Sequence, residues 1–307
     1  MVYGITCTVS SPPGFIEISE QEFKEVRRAK RNLLRVVWIE DKFDLLLENY
    51  REYEIELLDL ALYQMTFGDF SWTSFRFDAL RVSRRLQNLL SACRLYLDQI
   101  KHDVGELEMP GLYILDRLKK KCSEEFNSKL GYRVMESLRN YTQHRSLPIH
   151  HMSYPQGWEP KDSPSSLVFR VIPSLSIAEL RADPKVKPSV IKELKSSGKY
   201  FPVTPLIREY VEGLGAVHQE FRSMSKSYVA QWECVLKQVC DRAAAAFDGR
   251  KSGLTIVARD EEGQQVDSED VFEDPIVYRS KLVRKNRSLT KLSARFVSSE
   301  CPPKKKA

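Results

Sequence analysis

The stretch Leu130-Gly131-Tyr132-Arg133-Val134-Met135-Glu136-Ser137-Leu138-Arg139-Asn140-Tyr141-Thr142-Gln143-His144 decides how this chain folds. Leu130, Val134, Leu138 and Tyr141 fall at i, i+4, i+8 and i+11 and share one face of an α-helix, with Arg139 displaced by one residue onto its flank. Four residues after His144 stands Pro148. Proline has no N–H for the helix ladder and biases the residue before it away from helical angles. The pattern predicts a helix that stops near Leu147, with His144 in its last turn.

Helical spacing continues on the N-terminal side. Ser19 followed by Glu22 is a capping box, and Phe23, Val26, Leu33, Val37 and Ile39, then Leu57, Leu58, Ala61, Leu62 and Met65, keep a helical period. A break near Glu40-Asp41 is expected, because ~45 residues is long for one globular helix. Gly68-Asp69-Phe70-Ser71 interrupts the pattern. Beyond it Phe75, Leu80, Val82, Leu86, Leu89, Leu90, Cys93, Leu95 and Leu97 predict a long amphipathic helix ending near His102, and another helix is expected over 112–126.

Past Pro148 the character changes. Pro155, Gly157, Pro160, Ser163, Pro164 and Ser165 mark a loop, and residues 167–173 form the best strand candidate in mid-chain. Short helices are expected from Ser176 and over 188–196. A long helix then runs from Leu206 to about Ala246, softened by Gly213 and Gly215. The first 18 residues look extended, with a turn at Ser10-Ser11-Pro12-Pro13-Gly14. After Gly249 the sequence turns acidic and then basic, and weak order is expected there, with one strand over 254–258. The predicted organisation is mainly α: an extended segment (1–18), an antiparallel helical bundle (19–246) with an irregular excursion at 153–205, and a weakly ordered tail (247–307). No central sheet of four or more strands is expected. Removal of the residues after Gly249 is expected to leave the helical body folded.

The chain has 307 residues, 42% apolar, 10% aromatic and 29% charged, which suits a globular protein with a substantial core. No apolar run approaches the length that spans a bilayer, and residues 1–15 lack a basic region followed by an apolar stretch. Six scattered cysteines with no Cys-x-x-Cys pair read as reduced, mostly buried thiols, so a cytoplasmic protein without a zinc site is expected. Net charge is +6, and much of the excess lies in 277–307, ending in Pro302-Pro303-Lys304-Lys305-Lys306. Such a balance permits nucleic-acid binding without demanding it.

Arg139, Asn140 and His144 place a guanidinium, an amide and an imidazole within about one and a half helical turns. Those groups can bind phosphate and move a proton. The segment resembles the motif of the HEPN family: an Arg, four to six residues, then a His, often with a polar residue directly after the Arg. Arg139 and His144 have four residues between them, and Asn140 fills the polar position. The resemblance implies a HEPN-like helical bundle acting as a homodimer whose two motifs face one cleft. It implies a metal-independent endoribonuclease, of the kind found in bacterial toxin or antiphage systems, with RNA as substrate, no cofactor, and an antitoxin or other protein as a further partner. In that chemistry His144 moves a proton, Arg139 stabilises phosphorane charge and Asn140 orients Arg139 or the phosphate. On an ideal helix Arg139 and His144 lie about 140° apart, so convergence needs an unwound helix end or a second copy.

Other readings of the same residues stay open. The motif residues can form an ordinary helix end, or a HEPN-like module that binds nucleic acid, nucleotide or protein without catalysis. Arg81, Arg84 and Arg85 can track a phosphate backbone, with Arg145 added to that set, or form a solvated face. His150 and His151 read as a solvent-exposed pair, and Tyr141 as a core residue.

Overall fold

A computed structural model describes residues 1–8, 14–110, 113–159, 166–194 and 198–297. The protein is mainly helical, 65% helix, with minor antiparallel sheets. The helices are α1 (Glu20–Phe67), α2 (Trp72–Gly105), α3 (Ile114–Ser128), α4 (Leu130–His144), α5 (Ile177–Arg181), α6 (Pro188–Leu194), α7 (Thr204–Ala246) and α8 (Asp274–Lys285). The strands are β1 (Val2–Cys7), β2 (Phe15–Ile18), β3 (His151–Ser153), β4 (Gln156–Glu159), β5 (Ser166–Phe169), β6 (Ile172–Ser176), β7 (Tyr200–Pro202), β8 (Leu254–Arg259) and β9 (Gln265–Val271). Two compact units arise, neither contiguous in sequence. Helices α1, α2 and α7 contribute residues to both.

The first unit gathers Met1–Asp44, Gln99–Leu115 and Glu220–Arg287. Its sheet has the order β2-β1-β8-β9, all antiparallel, with Ile5 opposite both Ile16 and Ile256. Ile5, Cys7, Ile18, Leu254, Ile256 and Val271 bury their side chains. This corrects two expectations. One sheet does reach four strands, and residues 254–285 of the supposed weak tail are ordered as β8, β9 and α8. The acidic run that suggested disorder is strand β9, where Asp267 and Glu269 meet Arg27 and Glu269 also meets Lys30 at 3.2 Å. The basic run that follows is α8, held by buried Ile276 and Leu282. The terminal Pro302-Pro303-Lys304-Lys305-Lys306, Cys301 and most of the Ser10–Gly14 turn lie outside the described residues.

Helix α1 also departs from expectation, since it passes Glu40-Asp41 without a break. Glu40 is fully buried and its two oxygens accept from Arg222 Nε (2.9 Å) and Nη2 (2.5 Å). Arg222 also donates to the Asn286 carbonyl at 2.7 Å. A buried carboxylate matched by a two-pronged guanidinium is tolerated inside a helix whose length alone suggested a break.

The second unit gathers Leu45–Asp98, Asp116–Gln219 and Ser288–Ala307. Its core includes Tyr53, Leu60, Leu86, Tyr96, Leu138, Tyr141 and Tyr210. Two buried polar side chains satisfy each other, Tyr96 Oη and His218 Nδ1 at 3.0 Å. The irregular excursion forms a three-stranded sheet, β3-β6-β7, and a β4-β5 hairpin. The single strand expected over 167–173 is thus divided between β5 and β6; part of the preceding loop, Pro160 to Ser165, lies outside the described residues. Ser176 caps α5 by accepting the Glu179 N–H, as its sequence position suggests. Gly131 allows α4 to approach α7 closely. A Cβ there would sit 2.3 Å from the Leu206 carbonyl oxygen, and the Gly131 N–H donates to Glu209 at 2.5 Å.

Candidate functional site

Helix α4 carries the Arg-His motif. Gly131, Tyr132, Val134, Met135, Leu138 and Tyr141 bury one face. The helix ends at His144, and the Arg145 N–H closes the last turn on the Tyr141 carbonyl at 2.9 Å. The stop comes a little before the position set by Pro148. Arg145 has φ −138°, outside the helical range.

Arg139 is half-buried. Its Nη2 donates to Gln143 Oε1 at 3.2 Å, one turn on, so the guanidinium leans toward the helix C-terminus. Its Nε is buried and has no hydrogen-bond partner, and no carboxylate pairs with it among the described residues. Thr142 Oγ1 donates to the Arg139 carbonyl at 2.8 Å, tying down a carbonyl near the helix end. Asn140 is half-buried and His144 exposed; neither side chain has a hydrogen-bond partner among the described residues. The three motif residues are gathered at one helix end, yet no hydrogen bond joins them. Gln143, which aims Arg139, was not singled out in the sequence, although its i, i+4 spacing is a readable signal.

Behind the helix end lies a polar contact that the sequence did not suggest. His150 is half-buried rather than solvent-exposed. Its Nδ1 accepts the Ser176 N–H at 3.0 Å, so the proton of the neutral ring sits on Nε2, which donates to the Tyr141 hydroxyl at 3.2 Å. The two rings meet edge to face at 5.3 Å. Burial holds the His150 pKa below its ordinary value, partly offset by the Glu179 carboxylate. Burial likewise raises the Tyr141 pKa, and a hydrogen bond with Ser146 opposes that rise. His151 points the other way, exposed, with its ring stacked on Tyr200 at 4.3 Å. The pair is split because successive residues at a strand entrance face opposite sides.

The proposed phosphate-tracking arginines are differently placed. Arg81 pairs with Glu56 and Asp59, both at 2.6 Å, and Arg85 with Glu52 at 2.6 Å and Glu56 at 3.0 Å. With their three carboxylates Arg81 and Arg85 carry no net positive charge, the arrangement of an ion-paired face. Arg84 is exposed and has no carboxylate partner among the described residues. Arg145 spends one Nη on the Ala182 carbonyl. Among the described residues, no three His, Cys, Asp or Glu side chains are grouped to hold a metal ion, and no helix is long and apolar enough to cross a membrane.

Comparison of the chain with protein-family models, curated proteins and solved structures returns no match. The resemblance to the HEPN motif therefore rests on Arg139, Asn140 and His144 and on the helical surroundings.

Proposed function

We propose that the C-terminal end of α4 binds a phosphodiester of RNA and that the protein is a metal-independent endoribonuclease acting as a pair of copies. The observation that carries the reading is Arg139: a half-buried guanidinium with an unmatched Nε–H and no carboxylate, in a chain that pairs Arg27, Arg81, Arg85, Arg133, Arg208, Arg222 and Arg279 with acids. A buried donor left without a partner is costly, and an anionic oxygen is the ligand that would complete it. Asn140 and His144 add two further unmatched polar groups on the same turn and a half.

In the proposed reaction the ribose 2′-oxygen attacks phosphorus, the bond to the 5′-oxygen breaks, and a 2′,3′-cyclic phosphate and a 5′-hydroxyl result. His144 takes the 2′-hydroxyl proton or gives one to the leaving oxygen, and Arg139 holds the charge on the phosphorane. The lack of any direct link between Arg139 and His144 favours a second reading, a module that binds RNA or protein at the same helix end without cleaving.

Incubation of the purified chain with RNA in EDTA separates the two. Cleavage to cyclic-phosphate ends, lowered roughly 100-fold or more by His144→Ala and by Arg139→Ala, is the expected result. Activity lost in EDTA, or full activity in His144→Ala, overturns the ribonuclease reading. RNA retention without cleavage, weakened by Arg139→Ala, supports the module.

A further inference from the structure

We propose that the stacked rings of His151 and Tyr200 form a platform for an unpaired nucleobase, beside the phosphodiester assigned to the α4 end. The choice of RNA as the ligand rests on that reading of the helix end.

The platform follows from strand register. His151 on β3 lies opposite Ser174 on β6, and Tyr200 on β7 lies opposite Ser176 on β6. Cross-strand partners share a face of a sheet, as do residues two apart on one strand, so all four side chains stand on one side. Leu175, between the serines, is fully buried on the other side. The rings of the two outer strands meet across the middle strand because its side chains there are serines, only 4% and 7% exposed. The rings lie 14° from parallel with centroids at 4.3 Å. Tyr200 is half-buried, and Lys199 Nζ lies 5.2 Å from its ring centroid. His151 is exposed, and no other ring meets it among the described residues. The outer face of its imidazole is therefore the open end of a two-ring stack.

A flat ring held in place by a second ring offers a nucleobase a stacking surface at little ordering cost. Bases inside a duplex have their faces covered by their neighbours, so the strand that fits is single.

Charge and position point the same way. The short helix α5 links the platform to the α4 end. At its start the Ile177 N–H donates to the Lys199 carbonyl at 3.2 Å, and past its end the Ala182 carbonyl accepts from Arg145. Its 5 residues span ~8 Å. Arg145, Arg181, Lys185 and Lys199 lie along this path, and none has a carboxylate partner among the described residues. The acids on it are Glu179 and Asp183, and Asp183 is buried, accepting the Lys185 N–H at 3.0 Å. Next to His151, His150 bonds Tyr141, two residues from Arg139. A strand with one phosphate at Arg139 thus has a cationic path to a stacking surface within a few nucleotides. A neutral peptide would use the rings and leave the cations idle.

Binding of a labelled 2′-fluoro oligouridine to the full chain tests this, since that strand keeps its bases and has no 2′-hydroxyl to react. The wild type is expected to bind it more tightly than the same sugar-phosphate chain without bases. His151→Ala should weaken oligouridine binding roughly 5- to 100-fold and leave the base-free chain unaffected. His151→Phe, which keeps a ring face, should retain the wild-type affinity. His151→Ala without effect, equal weakening for the base-free chain, or His151→Phe as weak as His151→Ala each overturns the platform. Binding that needs Arg139 but not His151 overturns the platform alone. Binding that needs His151 but not Arg139 keeps the platform and overturns the α4 site. A wild-type chain that binds no oligouridine overturns both.

Discussion

At His150 the ring accepts an amide N–H on Nδ1, a bond that only the neutral imidazole can make. Its folded pKa is lowered, so between its ordinary value near 6.5 and the lower folded value the unfolded chain binds a proton that the native state does not. Stability from this group is therefore constant above that range and falls as pH drops through it. Urea unfolding of the wild type at pH 7.5 and 5.5, set against His150→Gln, should show a steeper loss on acidification in the wild type; equal slopes would rule the linkage out. Gly131 is a second residue whose role is steric. Alanine is favoured over glycine within a helix by up to about 1 kcal/mol. Here its methyl would meet the Leu206 carbonyl at 2.3 Å, so Gly131→Ala should instead destabilise, by about 1–3 kcal/mol in chemical denaturation. The Arg139–His144 spacing was legible because it is local. The Ser176 partner of His150 is 26 residues away, and no local pattern announces it.

Among the elements, α1 is the most informative. Its caps and periodicity were readable, but its passage through Glu40 was not, because the guanidinium that satisfies Glu40 comes from α7, 182 residues on. Arg222→Met should cost about 3–5 kcal/mol, since it strips a buried carboxylate of its charge partner. Pairing it with Glu40→Leu should recover most of that loss. A single substitution with little effect on urea unfolding would show that water or another donor already satisfies Glu40. Helix α7 likewise runs through Gly213 and Gly215 without a break, because close neighbours occupy their open sides: Tyr132 at 3.0 Å from the Cβ position of Gly213, and Leu289 at 3.5 Å from that of Gly215. Strand β8 was expected over 254–258, although within a stretch read as weakly ordered. Its acidic partner β9 was not, since charges that are neutralised across a sheet look like disorder when read along the chain.

For the whole molecule, the C-terminal residues change their meaning. Strand β8 lies between β1 and β9, and Leu254, Ile256, Val257, Val271, Ile276 and Leu282 are buried. Removing everything after Gly249 exposes their partners and forfeits on the order of 10 kcal/mol of apolar burial, comparable with the total stability of a domain. Truncation should abolish cooperative unfolding of the unit that contains the sheet, contrary to the expectation from composition. A truncated chain that melts in one sharp calorimetric transition like the intact protein would refute this. By itself the sequence determined that helix dominates, where the long helices lie, and that an Arg, an Asn and a His stand at the end of one of them. Helical period, caps and proline stops act over a few residues, and those interactions survive being read one window at a time. Only the tertiary structure decided that residues 2–7 pair with residues 254–259 in one sheet, that Arg81 and Arg85 are spent on carboxylates while Arg139 is not, and that His150 is turned inward. Each depends on a partner tens to hundreds of residues distant, and which partner arrives is settled by the packing of the whole chain.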